Sequence, residues 1–327
     1  MINSRLREER GASSAIVALF MVVILLVAAV VIDIAAMQLE RQQLQTGADA
    51  AALAIAQDCA HGDCGDAAAT AESFVGANRT YGGDDDTLSL AAIPDASSGT
   101  VTVRASSPSQ HFFAPIIGID ESVVGASATA RWGAPSGGTL DLPLIFSWCD
   151  FMNATDQGTP SDTTTYTLAL PKHGSEGCVD QDGTALSGGF GWLDPDAASC
   201  TLDATIYEDE GDAVGSDPGS SKPKECGADD FAAIQGRTIL LPVFVETRGT
   251  GSNGEYKIYG FAAFRVTGYA FDNKHTCWNM ACNGGDKIQG HLVDYIAYDG
   301  SVAYDPDAPN LGTVVVRLVS GPEEDTP

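Results

Sequence analysis

From Ala12 to Met37 the chain reads ASSAIVALFMVVILLVAAVVIDIAAM, and between Ala15 and Ile32 it carries no charged side chain. About 20 mostly apolar residues cross a bilayer core at a helical rise of about 1.5 Å per residue, so this run can span a membrane as one helix. A secretory signal usually ends its apolar region after about 7 to 15 residues, at a small-residue cleavage site. Here the run passes through Asp33 straight into a polar helical pattern, MQLERQQLQ. The expectation is an uncleaved anchor at 12–37, in contact with the lipid bilayer, behind a leader at 1–11.

Basic residues mark the cytoplasmic side of a span. Arg5, Arg7 and Arg10 precede this one, and Arg41 is the only basic residue soon after it. The N-terminus is therefore expected in the cytoplasm, with one crossing of the cell membrane and the bulk of the chain outside. Of 44 acidic and 17 basic residues, only Glu8, Glu9 and those three arginines lie in the leader, so the exported part is strongly acidic. That balance argues against nucleic acid and anionic lipid as partners.

All eight cysteines, Cys59, Cys64, Cys149, Cys178, Cys200, Cys226, Cys277 and Cys282, follow the span. An even number outside the membrane reads as disulfides. Short loops suggest Cys59 with Cys64 and Cys277 with Cys282, and the same neighbour logic suggests Cys149 with Cys178 and Cys200 with Cys226. Zinc is the alternative, since CAHGDC contains His61 and Asp63 and His275 lies just upstream of CWNMAC, but an oxidising compartment favours bonds.

Past the membrane the helical pattern continues. Leu39, Leu44, Ala48, Ala51, Ala52, Ile55 and Ala56 recur on one face, interleaved with Glu40, Arg41, Gln42, Gln43 and Asp49. A single rod from Ala12 to Gln57 would be about 70 Å long, with Gly47 as a weak point. Its Ala-rich face permits close approach, either to its own domain or to a partner helix. A second helix is expected to end near Arg79. TLSLAAI, GTVTVRASS and ESVVGASATARWG alternate as strands, with the short apolar segment HFFAPIIGI before the third. Residues 38–132 thus read as an α+β module.

The Pro, Gly and Ser content of 133–140 suggests a linker. Residues 141–321 carry short β-like segments and six of the cysteines, which suggests a mostly β domain stapled by disulfides. Within it the acidic tract 208–224 reads as an exposed loop, and 322–327 is an acidic tail. The fold class expected is α+β, a transmembrane helix extended into an exported α+β module and followed by the disulfide-containing β domain.

Catalytic signatures are missing where they would be sought. Gly249, Gly251 and Gly254 match G-x-G-x-x-G, but a strand pattern follows instead of a helix, so they read as a hairpin loop. The histidines His61, His111, His173, His275 and His291 are scattered singly, and no nucleophile stands with a base. No cofactor is expected. Structural calcium on Asp180 and Asp182, Asp194 and Asp196, or Asp305 and Asp307 is the alternative, although Asp-Pro-Asp is also ordinary turn chemistry. In GGFGWLD, Phe190 and Trp192 read first as core aromatics.

Arg10 to Ala56 resembles the N-terminal module of TadG-like and TadE-like proteins of the tight-adherence (Tad/Flp) pilus-assembly system. The resemblance rests on Gly11 after an Arg-containing leader, Asp33 at the outer end of the span, Arg41-Gln42-Gln43-Leu44-Gln45, and the Ala48-Asp49-Ala50-Ala51-Ala52-Leu53 helix. The segment from Thr100 to Trp132 resembles the region after that module, and the rest resembles Tad-associated outer domains more loosely. This implies a non-enzymatic, minor pseudopilin-like accessory component of a pilus-assembly or secretion apparatus, with other Tad membrane proteins or pilins as partners. Asp33, Leu39, Leu44, Ala48, Ala51, Ala52 and Ile55 would form its membrane and partner helix.

Two departures stand out. Processed pseudopilins carry Glu five residues into the mature chain, where this chain has Ile16, which favours a permanent anchor. TadG-type von Willebrand A domains carry Asp-x-Ser-x-Ser, and Asp95-Ala96-Ser97-Ser98 is out of register with it, so metal-dependent adhesion is not implied. The rival reading is a cell-surface adhesin or ligand-binding ectodomain on a single anchor.

Overall fold

The computed structural model describes residues 9–80, 88–155, 158–169, 190–196, 199–206, 214–215, 222–248, 255–271, 276–297 and 302–319. Their contacts divide the chain into two units. The first holds the described residues of Met1–Ala96, Thr100–Arg131 and Leu318–Pro327, and the second those of Ser97–Gly99 and Trp132–Arg317.

The first unit is built on α1 (Glu9–Ala60), one uninterrupted helix of 52 residues, which is about 78 Å of rise. From Ile16 to Ile32 its large apolar side chains are exposed, whereas Leu44, Ala48, Ala51, Ala52, Ile55 and Ala56 are wholly buried. The change follows the sequence: a helix apolar on all sides gives way to one with an apolar stripe, and only the stripe has protein to pack on. A disulfide between Cys59 and Cys64 closes the turn after α1. The chain then folds back as α2 (Ala67–Asn78), whose first turn is capped by the Asp66 carboxylate accepting from the Ala69 amide at 3.0 Å.

Gly47, which reads from sequence as a weak point, is where the helices cross. A Cβ there would lie 2.8 Å from the Val75 Cα, so only glycine admits α2 at this distance. The Glu40 carboxylate sits 3.9 Å from Arg79 just beyond the end of α2, and the Arg79 guanidinium also donates to the Ser107 hydroxyl at 2.9 Å.

Three antiparallel strands complete this unit. β1 (Ser89–Asp95) pairs with β2 (Thr100–Gln110), from Ser89 opposite Ser106 to Asp95 opposite Thr100. After a short 3-10 helix at Ala114–Ile117, β3 (Glu121–Leu140) returns beside β2, from Gln110 opposite Glu121 to Thr100 opposite Arg131. The helices cover the sheet, α1 over β2 and α2 over β1. Leu44, Val75, Ala105 and Val124 meet at the centre, with Met37 and Leu90 packed around them.

In the second unit β3 is followed by β4 (Leu144–Ser147), α3 (Trp148–Ala154), β5 (Tyr166–Ala169), β6 (Phe190–Trp192) and β7 (Leu202–Thr205). Then come β8 (Val214–Gly215), α4 (Ala228–Ala233), β9 (Thr238–Arg248), β10 (Glu255–Phe271) and β11 (Thr276–Trp278). The last are β12 (Lys287–Leu292), β13 (Tyr295–Ala297), β14 (Ala303–Asp305) and β15 (Thr313–Val319).

The main sheet runs β5-β12-β10-β9-β4-β6, with β8 and β11 also pairing to β10. β4 is parallel to β9, and the hairpin of β9 and β10 is antiparallel. The loop carrying Gly249, Gly251 and Gly254 lies outside the described residues. On this sheet sits a large core in which Trp192, Phe231, Phe264 and Phe271 are almost fully buried. The Trp192 ring packs edge-on against Phe231 and Phe271, and its indole N–H donates to Asp286 at 3.2 Å. Disulfides join Cys200 to Cys226 and Cys277 to Cys282. Cys149 is disulfide-bonded too, while Cys178 lies outside the described residues.

The class is α+β, but two expectations need correction. Residues 133–140 are not a linker: they are the second half of β3, largely buried. Gly137 opposes Thr205 of β7 and Ala303 of β14, and a Cβ on it would meet the Ala204 carbonyl at 2.9 Å. Small residues serve here to bring strands close, not to make a flexible joint. The acidic tract 208–224 is likewise not wholly loop, because Val214 and Gly215 pair with Tyr256 and Glu255. The tail 322–327 lies outside the described residues.

Candidate membrane-facing site

Asp33 is the first charged residue after the apolar run, and the fold gives it an unusual task. It lies among exposed neighbours such as Val31, Ile32 and Ile34, yet is itself only 6% exposed. The turn between β2 and β3 covers it. One carboxylate oxygen accepts from the Phe112 amide at 2.8 Å and from Phe113 at 3.2 Å. The other accepts from Phe113 at 3.1 Å and Ala114 at 2.8 Å.

These amides open the 3-10 helix Ala114–Ile117, whose own first residues leave their N–H groups without helical partners. A negative charge at that end is favoured by the dipoles of the turn. Asp33 therefore caps a helix some eighty positions away in the sequence. In exchange the turn supplies the hydrogen bonds that a carboxylate bordering an apolar span would otherwise take from water.

The turn itself is held by local bonds. The His111 amide donates to the Asp120 carbonyl at 3.0 Å, and Gly118, with φ of +85°, donates to the Pro115 carbonyl at 3.1 Å. The His111 ring nitrogen Nε2 bonds the Ser122 hydroxyl at 2.8 Å. With the backbone so occupied, the side chains turn outward. Phe112 is 71% exposed, Ile116 83% and Ile117 75%, and Phe113, Ile119 and Val123 are exposed as well.

The other residues expected on the membrane and partner helix fall into two groups. Leu39 is 46% exposed. Leu44, Ala48, Ala51, Ala52 and Ile55 have no exposed surface, and α1 packs on α2 and the sheet of its own unit, which is the own-domain alternative for this face. The apolar turn is not evident as a site from sequence, where HFFAPIIGI reads only as a short apolar segment. Its signal was Phe-Phe and Ile-Ile in the connection of a hairpin, where polar turn residues are the rule.

Nothing comparable gathers around the other candidates. Among the described residues no three His, Cys, Asp or Glu side chains come together as metal ligands. The Asp196 carboxylate accepts from the Asp203 amide at 3.1 Å, and Asp305 from the Asp307 amide at 2.8 Å. Asp180, Asp182, His173 and His275 lie outside the described residues.

These features define a class: a protein with, among the described residues, one helix long and apolar enough to cross a membrane, continuous with a folded α+β unit. Residues 11–58 match the Tad family, described as putative Flp pilus-assembly TadE/G-like. The matched stretch takes in the exposed run, Asp33 and almost all of the buried stripe. No curated protein and no solved structure matches the chain.

Proposed function

We propose that this protein is a non-enzymatic, membrane-anchored accessory component, minor pseudopilin-like, of a Tad/Flp-type pilus-assembly or secretion apparatus. Its N-terminus is cytoplasmic, its two units are outside the cell membrane, and it works without a cofactor alongside other Tad membrane proteins or pilins. The observation that carries this reading is the family match over residues 11–58, which falls on the helix joining an exposed apolar run to a folded unit. Three arginines ahead of the run and disulfides after it support the orientation.

A strain lacking the chain is expected to lose surface pili and to recover them with the full-length copy. Crosslinking in intact membranes should join the chain to pilus-assembly subunits. Normal piliation in the deletion strain with no pilus subunit crosslinked would overturn the reading. For orientation, an alkaline phosphatase reporter fused after the Cys59–Cys64 loop should be active, and one fused at the N-terminus inactive.

A further inference from the structure

We infer that the turn between β2 and β3 is a second membrane element, a wedge whose Phe112, Phe113, Ile116, Ile117 and Ile119 enter the outer leaflet beside α1 while Asp33 ties it to the span. The inference rests on the anchor reading above and goes beyond it, by giving the exported unit its own hold on the lipid.

Depth comes from the register of hairpin and helix. Farther from the span, the Gln45 side chain donates to the Ser127 carbonyl at 3.1 Å and Leu44 packs on Val124. Nearer to it, Asp33 receives the amides of Phe112 to Ala114. From Gln45 back to Asp33 the helix descends about 18 Å. From Ser127 back to Glu121 the strand descends about 20 Å, after which the turn begins. The hairpin thus runs down along α1, with its tip at the membrane-proximal end. A span at 12–37 puts Asp33 about one helical turn inside its outer limit. The tip is bound to that residue and so reaches the edge of the hydrocarbon.

Chemistry agrees with this depth. No charged side chain occurs from Phe112 to Ile119, and His111, Asp120 and Glu121 stand immediately above the tip. Val30, Val31 and Ile34, the neighbours of Asp33 on α1, are exposed apolar residues too. Apolar surface of this kind is left open where lipid or a partner covers it. The occupant argued here is lipid, because the same bilayer must surround the neighbouring turn of α1.

The test uses the full chain in phosphatidylcholine vesicles, with Ile116→Trp read as a difference from the parent. Ile117→Trp is the second probe if the first misfolds, and Val22→Trp reports the span. The added Ile116→Trp emission should be blue-shifted, and should lose more than half its intensity to lipid carrying a nitroxide high on the acyl chain. Lipid labelled near the chain end should quench it less, and should quench Val22→Trp more. If Val22→Trp is quenched but the Ile116→Trp and Ile117→Trp emissions are not, the wedge is wrong and the anchor stands. Blue-shifted but unquenched emission would mean that protein covers the tip, which also overturns the proposal. If Val22→Trp is unquenched, the anchor reading itself fails.

Discussion

A carboxylate next to an apolar span, a glycine inside a long helix and a tyrosine in a β core each look unfavourable in isolation. Asp33 is accommodated because three amides converge on it. Gly47 is needed because the Val75 backbone lies where its side chain would be. Gly47→Ala should therefore destabilise the first unit by about 1–3 kcal/mol, as overpacking does, even though alanine is the better helix former. Denaturant midpoints followed by the exchange of α2 amides would measure it, and a stabilised variant would contradict the crossing.

Burial raises the Tyr256 phenol above the ordinary tyrosine range, in a site where its ring packs on Phe244 at 4.8 Å. The unfolded chain gives up this proton first, from about pH 10. The stability it contributes is fully present below that pH and is lost as pH climbs through the raised value. Tyr256→Phe should flatten the alkaline fall in unfolding free energy, compared between neutral and strongly alkaline buffer. Parallel curves for variant and parent would refute it.

Among the elements, α1 was the most legible, because an all-round apolar run followed by a one-sided stripe has few other solutions. The strand alternation of β1, β2 and the first half of β3 was also open to reading. What the sequence hid depends on neighbours remote in the chain. Gly137 looks like a turn former until β7 and β14 are set against it. Phe112 and Ile116 belong to a segment that reads only as short and apolar, and the fold places them outside. Ala51 and Ala52 suit any helix partner, and only the tertiary structure says that they are buried, on a helix packed against α2 and the sheet. The turn from α1 to α2 is a simpler case, closed by Cys59 and Cys64. Replacing both with serine should cost about 2 kcal/mol by the loop-closure estimate, seen as earlier thermal loss of α2 with the second unit unaffected. No change in the α2 transition would show the bond to be dispensable.

At the scale of the whole molecule, the two units have separate cores, one around Leu44 and Val75 and the other around Phe264 and Trp192. Damage to one should stay there. Phe264→Ala removes a fully buried ring and should destabilise the second unit by about 3–5 kcal/mol, while α2 keeps its protection against hydrogen exchange. Joint loss of protection in both units at the same denaturant concentration would show a single cooperative block instead.

The absence of any break in α1 between its exposed and buried halves has a mechanical meaning. A pull on the end that carries the buried stripe travels along the helix axis, where successive backbone hydrogen bonds carry it, and no hinge is present to absorb it. A twist or tilt imposed on the span likewise reaches the stripe from Leu44 to Ala56 and the sheet packed on it. The first unit is thus coupled to the motion of its own span as a handle is to a shaft.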